Sequence, residues 1–279
     1  MTTLDPSEDF QDAIAPTDRP LTTEQAIANL KGTDSGDRYY AAWWLGRFRV
    51  RTQEAVDALV ATLLDESDRT PEGGYPLRRN SARALGKLGD GRAVPALIEC
   101  LACSDYYVRE AAAQSLGALG DRACSSKLIA LLDGGVAAAQ PIPNCPHLAQ
   151  PYDAVLEALG TLGERSAIAV VEPFLEHSME LVQYAAARAM YQLTGDVSYG
   201  DRLVAALGGD KLQLRRAALA DIGAIGYLKA AQPVAQTLAE NSLKLISLKG
   251  ILEHQIEGTE PLMLSEEAIQ VMQLMDGLL

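Results

Sequence analysis

The sequence predicts an all-α fold, a single superhelix of paired helices. Three observations carry this. A short pattern, small and apolar residues every three or four positions followed by Leu-Gly, recurs along most of the chain. Each recurrence is followed by a Gly-containing turn and a second amphipathic stretch. No segment shows the period-two alternation of a strand. The recurring glycine falls at Gly46, Gly86, Gly117, Gly160 and Gly223, with Tyr191 in its place once, at spacings of 40, 31, 43, 31 and 32. A base period near 31 with two insertions is the mark of a stacked helical solenoid.

The elements follow in order. Residues 1–20, rich in acids, prolines and threonines, are expected to form a flexible leader without the basic-then-apolar order of a signal peptide. The first repeat unit, RYYAAWWLGRF with EAVDALVATL, opens a solenoid placed at 21–254. RRNSARALGKLGDGRAVPALIECL begins at Arg78 and VREAAAQSLGALGDRACSSKLIALL at Val108. YDAVLEALGTLGERSAIAVVEPFL begins at Tyr152, VQYAAARAMYQLTGDVSYGDRLVAAL at Val182 and LRRAALADIGAIGYLKAAQPVAQTL at Leu214. The insertions are RTPEGGYPL (69–77) and GGVAAAQPIPNCPHLAQP (134–151), each either a decoration of a binding face or tolerated surface length. After ENSLKLISLKGILEH, residues 255–279 are assigned to a C-terminal capping helix.

Composition narrows the function. At 48% hydrophobic and 22% charged residues the chain can build a large core. No apolar run is long enough to span a membrane. A net charge of −13 argues against nucleic acid or an anionic membrane as partner. Four cysteines in 279 residues are too few for a disulfide scaffold and fit the reducing cytoplasm. Cys100 and Cys103 have zinc-ligand spacing but no second pair, so no metal site is assigned. Cys145 and His147, in NCPH of the long insertion, read as a loop thiol and its neighbour, with a proton or transient-adduct role as the sharper alternative. His177 and His254 read as structural.

Only 5% of the residues are aromatic, yet YYAAWWL (39–45) holds four. Ala41 and Ala42 occupy small positions that recur in every unit and face neighbouring helices; Trp44 reads as packing. The positions seven, six and three before the glycine, and one after it, form another stripe. It holds Tyr39, Tyr40, Trp43 and Arg47, then Arg79, Asn80, Arg83 and Lys87, then Glu110 and Gln114. Asp153 and Glu157, Tyr184 and Arg188, and Arg216 continue it. The stripe is graded from aromatic through basic to mixed and acidic. Rings suit a planar conjugated body, and guanidinium forks suit its acid groups. On residues alone, an N-terminal cap or protein-binding surface for the aromatics and a solvated face for the cations remain open readings, the former favoured over a small-molecule site for a repeat protein taken at random.

The motifs YYAAWWL, GGYPLRRNSARALGKLGD (73–90), CSDYYVREAAAQSLGALGD (103–121), AQPYDAVLEALGTLG (149–163), VQYAAARAMYQLTGD (182–196), LQLRRAALADIGAIGYL (212–228) and AENSLKLISLKG (239–250) together resemble the E/F-type phycobilin lyases, on the side of their E subunits. The resemblance implies a HEAT-like repeat solenoid and an enzyme working as a heterodimer with an F-type subunit. It implies attachment of phycocyanobilin, a linear tetrapyrrole with two propionates, by a thioether to a cysteine of the phycocyanin α subunit. The nucleophile then belongs to the substrate protein, and phycocyanobilin is a substrate, with no cofactor required. Under that reading Tyr39, Tyr40 and Trp43 stack on the bilin, Arg47, Arg79, Arg83 and Lys87 pair with its propionates, and Tyr184 and Arg188 complete the binding face. Asp153 and Glu157 partner the pyrrole nitrogens and supply the proton. A non-catalytic scaffold for phycobiliproteins and the isomerising phycoerythrocyanin lyase are the competing readings.

Overall fold

The computed structural model describes residues 21–256 and 264–279, and within them every regular element is helical; the leader assigned to 1–20 lies outside the described residues. In chain order the helices are α1 (Thr23–Leu30), α2 (Ser35–Arg47), α3 (Gln53–Thr62), α4 (Pro76–Leu88), α5 (Val94–Cys100), α6 (Tyr106–Leu119), α7 (Ser125–Ala130) and α8 (Gly135–Ala138). They continue as α9 (Tyr152–Thr161), α10 (Ile168–Val171), α11 (Glu180–Thr194), α12 (Val197–Ala206), α13 (Leu212–Ile225), α14 (Ala231–Gln236), α15 (Asn241–Ile256) and α16 (Glu266–Asp276). The long first helices of the units, α2, α4, α6, α9, α11, α13 and α15, stack in sequence, each on the next.

The repeated Leu-Gly-x-Leu-Gly-Asp skeleton has a separate physical task at each position. The residue before the first glycine is the core anchor: Leu45, Leu85, Leu116, Leu159, Met190 and Ile222 are all buried. The first glycine is where the next helix crosses. An added Cβ at Gly46 would lie 2.8 Å from the Cα of Ala84, at Gly117 3.0 Å from that of Ala158, and at Gly160 2.6 Å from that of Ala189. Each partner is the small residue two places before the next unit's glycine or, for Ala189, before Tyr191 in its place. The second glycine ends the helix in the left-handed conformation, as at Gly89 (φ 71°) and Gly120 (φ 75°). The acid after it accepts the backbone N–H two residues on, Asp90 from Arg92 at 3.0 Å and Asp121 from Ala123 at 2.9 Å, which turns the chain into the second helix.

Trp44 occupies one of those small positions. No glycine helix of a preceding unit crosses it, so a ring fits; it is half-buried and tilts against Phe48 at 4.9 Å. Tyr191, in place of a crossing glycine, meets Tyr227 edge-on at 5.4 Å, and that second ring lies against Gly200. The stack continues past Ala239: α15 packs on α13, with Gly223 against Ser247, and runs to Ile256, two residues beyond the boundary expected at 254. Helix α16 then covers α15 and α14.

Both insertions are tied down. In the first, Asp68 accepts Leu77 N–H at 2.6 Å, Asp105 accepts Tyr75 N–H at 2.7 Å, and the Arg78 guanidinium lies 4.2 Å over the Tyr75 ring. In the second, Arg109 donates to Ala149 O at 2.8 Å and to Gln150 Oε1 at 2.9 Å. His177, fully buried, donates from Nε2 to Ala139 O at 2.6 Å and accepts Met179 N–H at Nδ1, as its structural reading requires. Among the described residues no helix is long and apolar enough to cross a membrane.

Candidate functional site

The row of first helices presents the stripe, and the structure divides it. Six positions before the glycine, Asn80, Ala111, Ala154 and Ala185 are buried between helices, and Asn80 donates to Tyr39 O at 2.9 Å. Tyr40 sits at the same register but stays half-buried, its ring stacked on Trp43 at 5.5 Å and 23°. The positions seven and three before the glycine stand on the open side. Trp43 is 41% exposed there, so the aromatic end of the stripe is a ring platform with one face in water.

The basic segment lies on α4. Arg79 places its guanidinium carbon 5.6 Å over the ring of Tyr107, a residue of α6, and has no carboxylate partner among the described residues. Arg83 reaches Glu110 at 3.5 Å. Burial, and after it the neighbouring charge of Arg79, holds the Arg83 guanidinium below its ordinary pKa. Arg47 and Lys87 are exposed at the rim, without an ion pair among the described residues.

Carboxylates follow on α6, α9 and α13. Burial raises Glu110, and the charge of Asp153 adds to the shift. Burial also raises Asp153, against the pull of backbone N–H groups at the start of α9. Glu157 and Asp221 share one cation: Arg188 Nη1 lies 2.9 Å from Glu157 Oε2 and 3.2 Å from Asp221 Oδ1. Burial drives Glu157 up to about 7 and Asp221 to about 6, with Arg188 opposing in both cases. Glu157 keeps 32% of its side-chain surface in contact with water although protein surrounds it. Arg188 is therefore taken up in holding two carboxylates, and its Nε hydrogen is buried without a protein acceptor. Tyr184 has Glu180, Lys211 and Arg202 as charged neighbours and stands apart from this cluster.

Thus Tyr39, Tyr40, Trp43, Arg79, Arg83, Asp153, Glu157 and Arg188 join one track, with Arg47 and Lys87 at its edge and Tyr184 beside it. The sequence reading missed Asp221, which occupies the small position two before its glycine. It also missed the pair Tyr106–Tyr107, which meet edge-on at 5.4 Å. Nor did spacing bring His147 here: the long insertion stacks its imidazole on Tyr106 at 4.0 Å and 12°. Chemically the track offers flat rings, guanidinium groups free for acids, and carboxyl groups whose hold on a proton is strengthened by burial.

Stacked helix pairs whose first helices line one graded face define a HEAT-repeat protein, and the HEAT-repeat family pattern matches residues 23–117 and 73–139. The chain belongs to the family of the phycocyanobilin lyase alpha subunits. It is 61% identical to the phycocyanobilin lyase subunit alpha of Nostoc sp. (strain PCC 7120) over 260 residues, 93% of this chain and 94% of that one. Identity to the protein of the same name in Microchaete diplosiphon is 64%, over 94% of this chain and 91% of the relative. The bilin biosynthesis protein PecE of Mastigocladus laminosus is more distant, 47% identical over 85% of this chain and 84% of its own length. Among solved structures, the complex of CpcE and CpcF of phycocyanin lyase from Nostoc sp. PCC7120 contains a chain that superposes with a TM-score of 0.89 at 59% identity, covering 96% of this chain and 99% of that one.

Proposed function

We propose that this chain is the E-type subunit of a heterodimeric lyase that attaches phycocyanobilin through a thioether to a cysteine of the phycocyanin α subunit. It acts with an F-type partner, as its relative does in the CpcE–CpcF complex, in the cytoplasm and with phycocyanobilin as substrate and no added cofactor. The observation that carries the site assignment is the continuity of the track from Tyr39 through Arg83, Glu110, Asp153, Glu157 and Arg188 to Asp221, each group within electrostatic reach of the next.

In this reading Trp43, with Tyr39 and Tyr40, takes a face of the conjugated ligand, and Arg79 and Arg83, with Arg47 and Lys87 at the rim, take its propionates. Tyr184 bounds the far side. Adding a thiol to a conjugated system forms one C–S bond, opens one double bond and needs one proton placed on the ligand. Glu157 is held near neutrality by burial, is positioned by Arg188 and lies beside Asp153 and Asp221, so it can give up and recover that proton. Beyond that, catalysis is positioning: one ligand conformation is presented to the incoming thiolate.

The test is reconstitution from this chain, its F-type partner, phycocyanobilin and apo-phycocyanin α subunit, followed by denaturing electrophoresis. Bilin fluorescence on the α chain that requires both lyase subunits is expected. Its absence, with the partner bound and the bilin intact, favours a non-catalytic scaffold. The absorption of the product separates plain attachment from attachment with isomerisation.

A further inference from the structure

Asp221 is an acid that the repeat itself does not require. In the four preceding units the residue at its register is Ala or Ser, and it meets the previous unit's glycine: Ala84 against Gly46, Ser115 against Gly86, Ala158 against Gly117 and Ala189 against Gly160. The unit before α13 carries Tyr191 instead, so position 221 meets no such glycine. A buried carboxyl group there costs folding energy that Ala or Ser at the same register would not. Among the described residues its side chain has one partner, Arg188.

The three groups are ordered in depth. The side chain of Asp221 is 7% exposed, that of Arg188 16% and that of Glu157 32%, so the cation stands between an inner acid and an outer one. Both acids accept from the same nitrogen, Nη1, at 2.9 and 3.2 Å, while Nε is buried with no acceptor among the described residues. Neither carboxyl group therefore has the two-pronged pairing through Nε and Nη that secures a carboxylate most firmly. One positive charge is divided between two acids. Glu157 also faces Asp153, one turn before it on α9, and Glu110 on α6; of the three acids, Asp221 opposes the pull of Arg188 most strongly.

We infer that Asp221 is a positioning residue for the proton-transfer step: by sharing Arg188, it lets the guanidinium hold Glu157 in place without committing it to the carboxylate form. This rests on the bilin-lyase reading above. Asp221 acts through Arg188 and Glu157 and not on the ligand. In the step, the acceptor's thiolate sulfur bonds to the electrophilic carbon, the double bond there opens, and the displaced electron pair moves into the conjugated system. That system takes the proton from Glu157. Glu157 is left as a carboxylate, which Arg188 stabilises until a proton from water restores the acid. A guanidinium bound to Glu157 alone would favour the carboxylate from the start, and little acid would remain for the ligand.

The test titrates the full chain with its F-type partner across neutrality and follows the infrared band of protonated carboxyl groups. The component lost in Glu157→Gln belongs to Glu157. In Asp221→Asn its midpoint is expected to fall by about one pH unit, because the whole charge of Arg188 then acts on Glu157. Asp221→Ser, the residue type of Ser115 at the same register, should shift it likewise and serves should the Asn variant fail to fold. Attachment of phycocyanobilin to apo-phycocyanin α subunit should be about tenfold slower than wild type above about pH 7 and converge with it near pH 5. An unmoved midpoint in the folded variants overturns the inference and leaves the lyase reading standing. A rate lowered equally at every pH marks a merely structural role and also overturns it. A wild-type heterodimer that attaches no bilin at any pH overturns the lyase reading, and with it the role of Asp221, even where the infrared midpoint moves.

Discussion

Replacing Gly160 by Ala tests how the stack builds the site. Gly160 is where α9 and α11 come closest, and an added Cβ would lie 2.6 Å from Ala189 Cα, 2.6 Å from Gln192 Oε1 and 3.0 Å from Ala189 Cβ. Gln192 can swing away; the backbone of Ala189 cannot. Normal carbon contacts begin near 3.5 Å, so the two helices must separate by about 1 Å. Overpacking of this kind costs about 1–3 kcal/mol, and the better helix propensity of Ala returns at most about 1 kcal/mol. The net loss is about 1–2 kcal/mol, or roughly 2–8 °C in melting temperature. The same movement draws Glu157, one turn before Gly160, away from Arg188, stretching the 2.9 Å pair. Gly91 is the control, because an added Cβ there meets nothing within 4 Å. Thermal unfolding followed by circular dichroism at 222 nm, with bilin titration of the same samples, provides the readout. A Gly160→Ala protein as stable as the wild type, or no more affected than Gly91→Ala, would refute the close-crossing account of the repeat.

Arg188→Met leaves Glu157 and Asp221 without their shared cation and should cost about 3 kcal/mol, near the low end for a broken buried pair because Glu157 keeps 32% of its side chain in water. Adding Asp221→Asn to that variant should recover part of the loss in urea unfolding. The pH dependence has a definite sign. Glu157 and Asp221 are raised from 4.5 and 3.8 to about 7 and about 6, so between pH 4 and 7 the folded chain binds more protons than the unfolded one. Their contribution to stability therefore falls as pH rises through that window, and Asp221→Asn should flatten the profile. Asp65 acts oppositely. The hydrogen bond from Arg38 lowers it to about 2, so its contribution is present above pH 4 and is lost as pH falls towards 2; Arg38→Met should abolish that acid-side slope.

The repeat was legible in the sequence because four of its glycines are geometric necessities: an added Cβ at Gly46, Gly86, Gly117 or Gly160 would meet the next helix at 3.0 Å or less, so their spacing is written directly in the letters, and only Tyr191 departs from it. The core was legible for the same reason, through the apolar residue before each glycine. The stripe was only partly so. Residues three and four apart share a face, but the position six before the glycine turns far enough towards the neighbouring helix to be buried, as Asn80 and Ala185 are. Asp221 was hidden by its register, where the four preceding units carry Ala or Ser. Tyr106 and Tyr107 precede the stripe by a turn; Arg79 lies over Tyr107, and the return of the long insertion, anchored by Arg109, stacks His147 on Tyr106. A loop's path depends on contacts made far away in sequence, and no periodicity encodes it.

We propose that the graded face of the first helices is the bilin site. It is tested most directly by titrating phycocyanobilin into the lyase heterodimer carrying Trp43→Ala, with Trp44→Ala alongside and folding of each checked by circular dichroism. Trp43 exposes 41% of its surface on that face, whereas Trp44 packs against the core and Phe48. Trp43→Ala is expected to melt like the wild type yet bind bilin about tenfold or more weakly, while Trp44→Ala chiefly lowers the melting temperature. Unchanged affinity in a folded Trp43→Ala protein would contradict it.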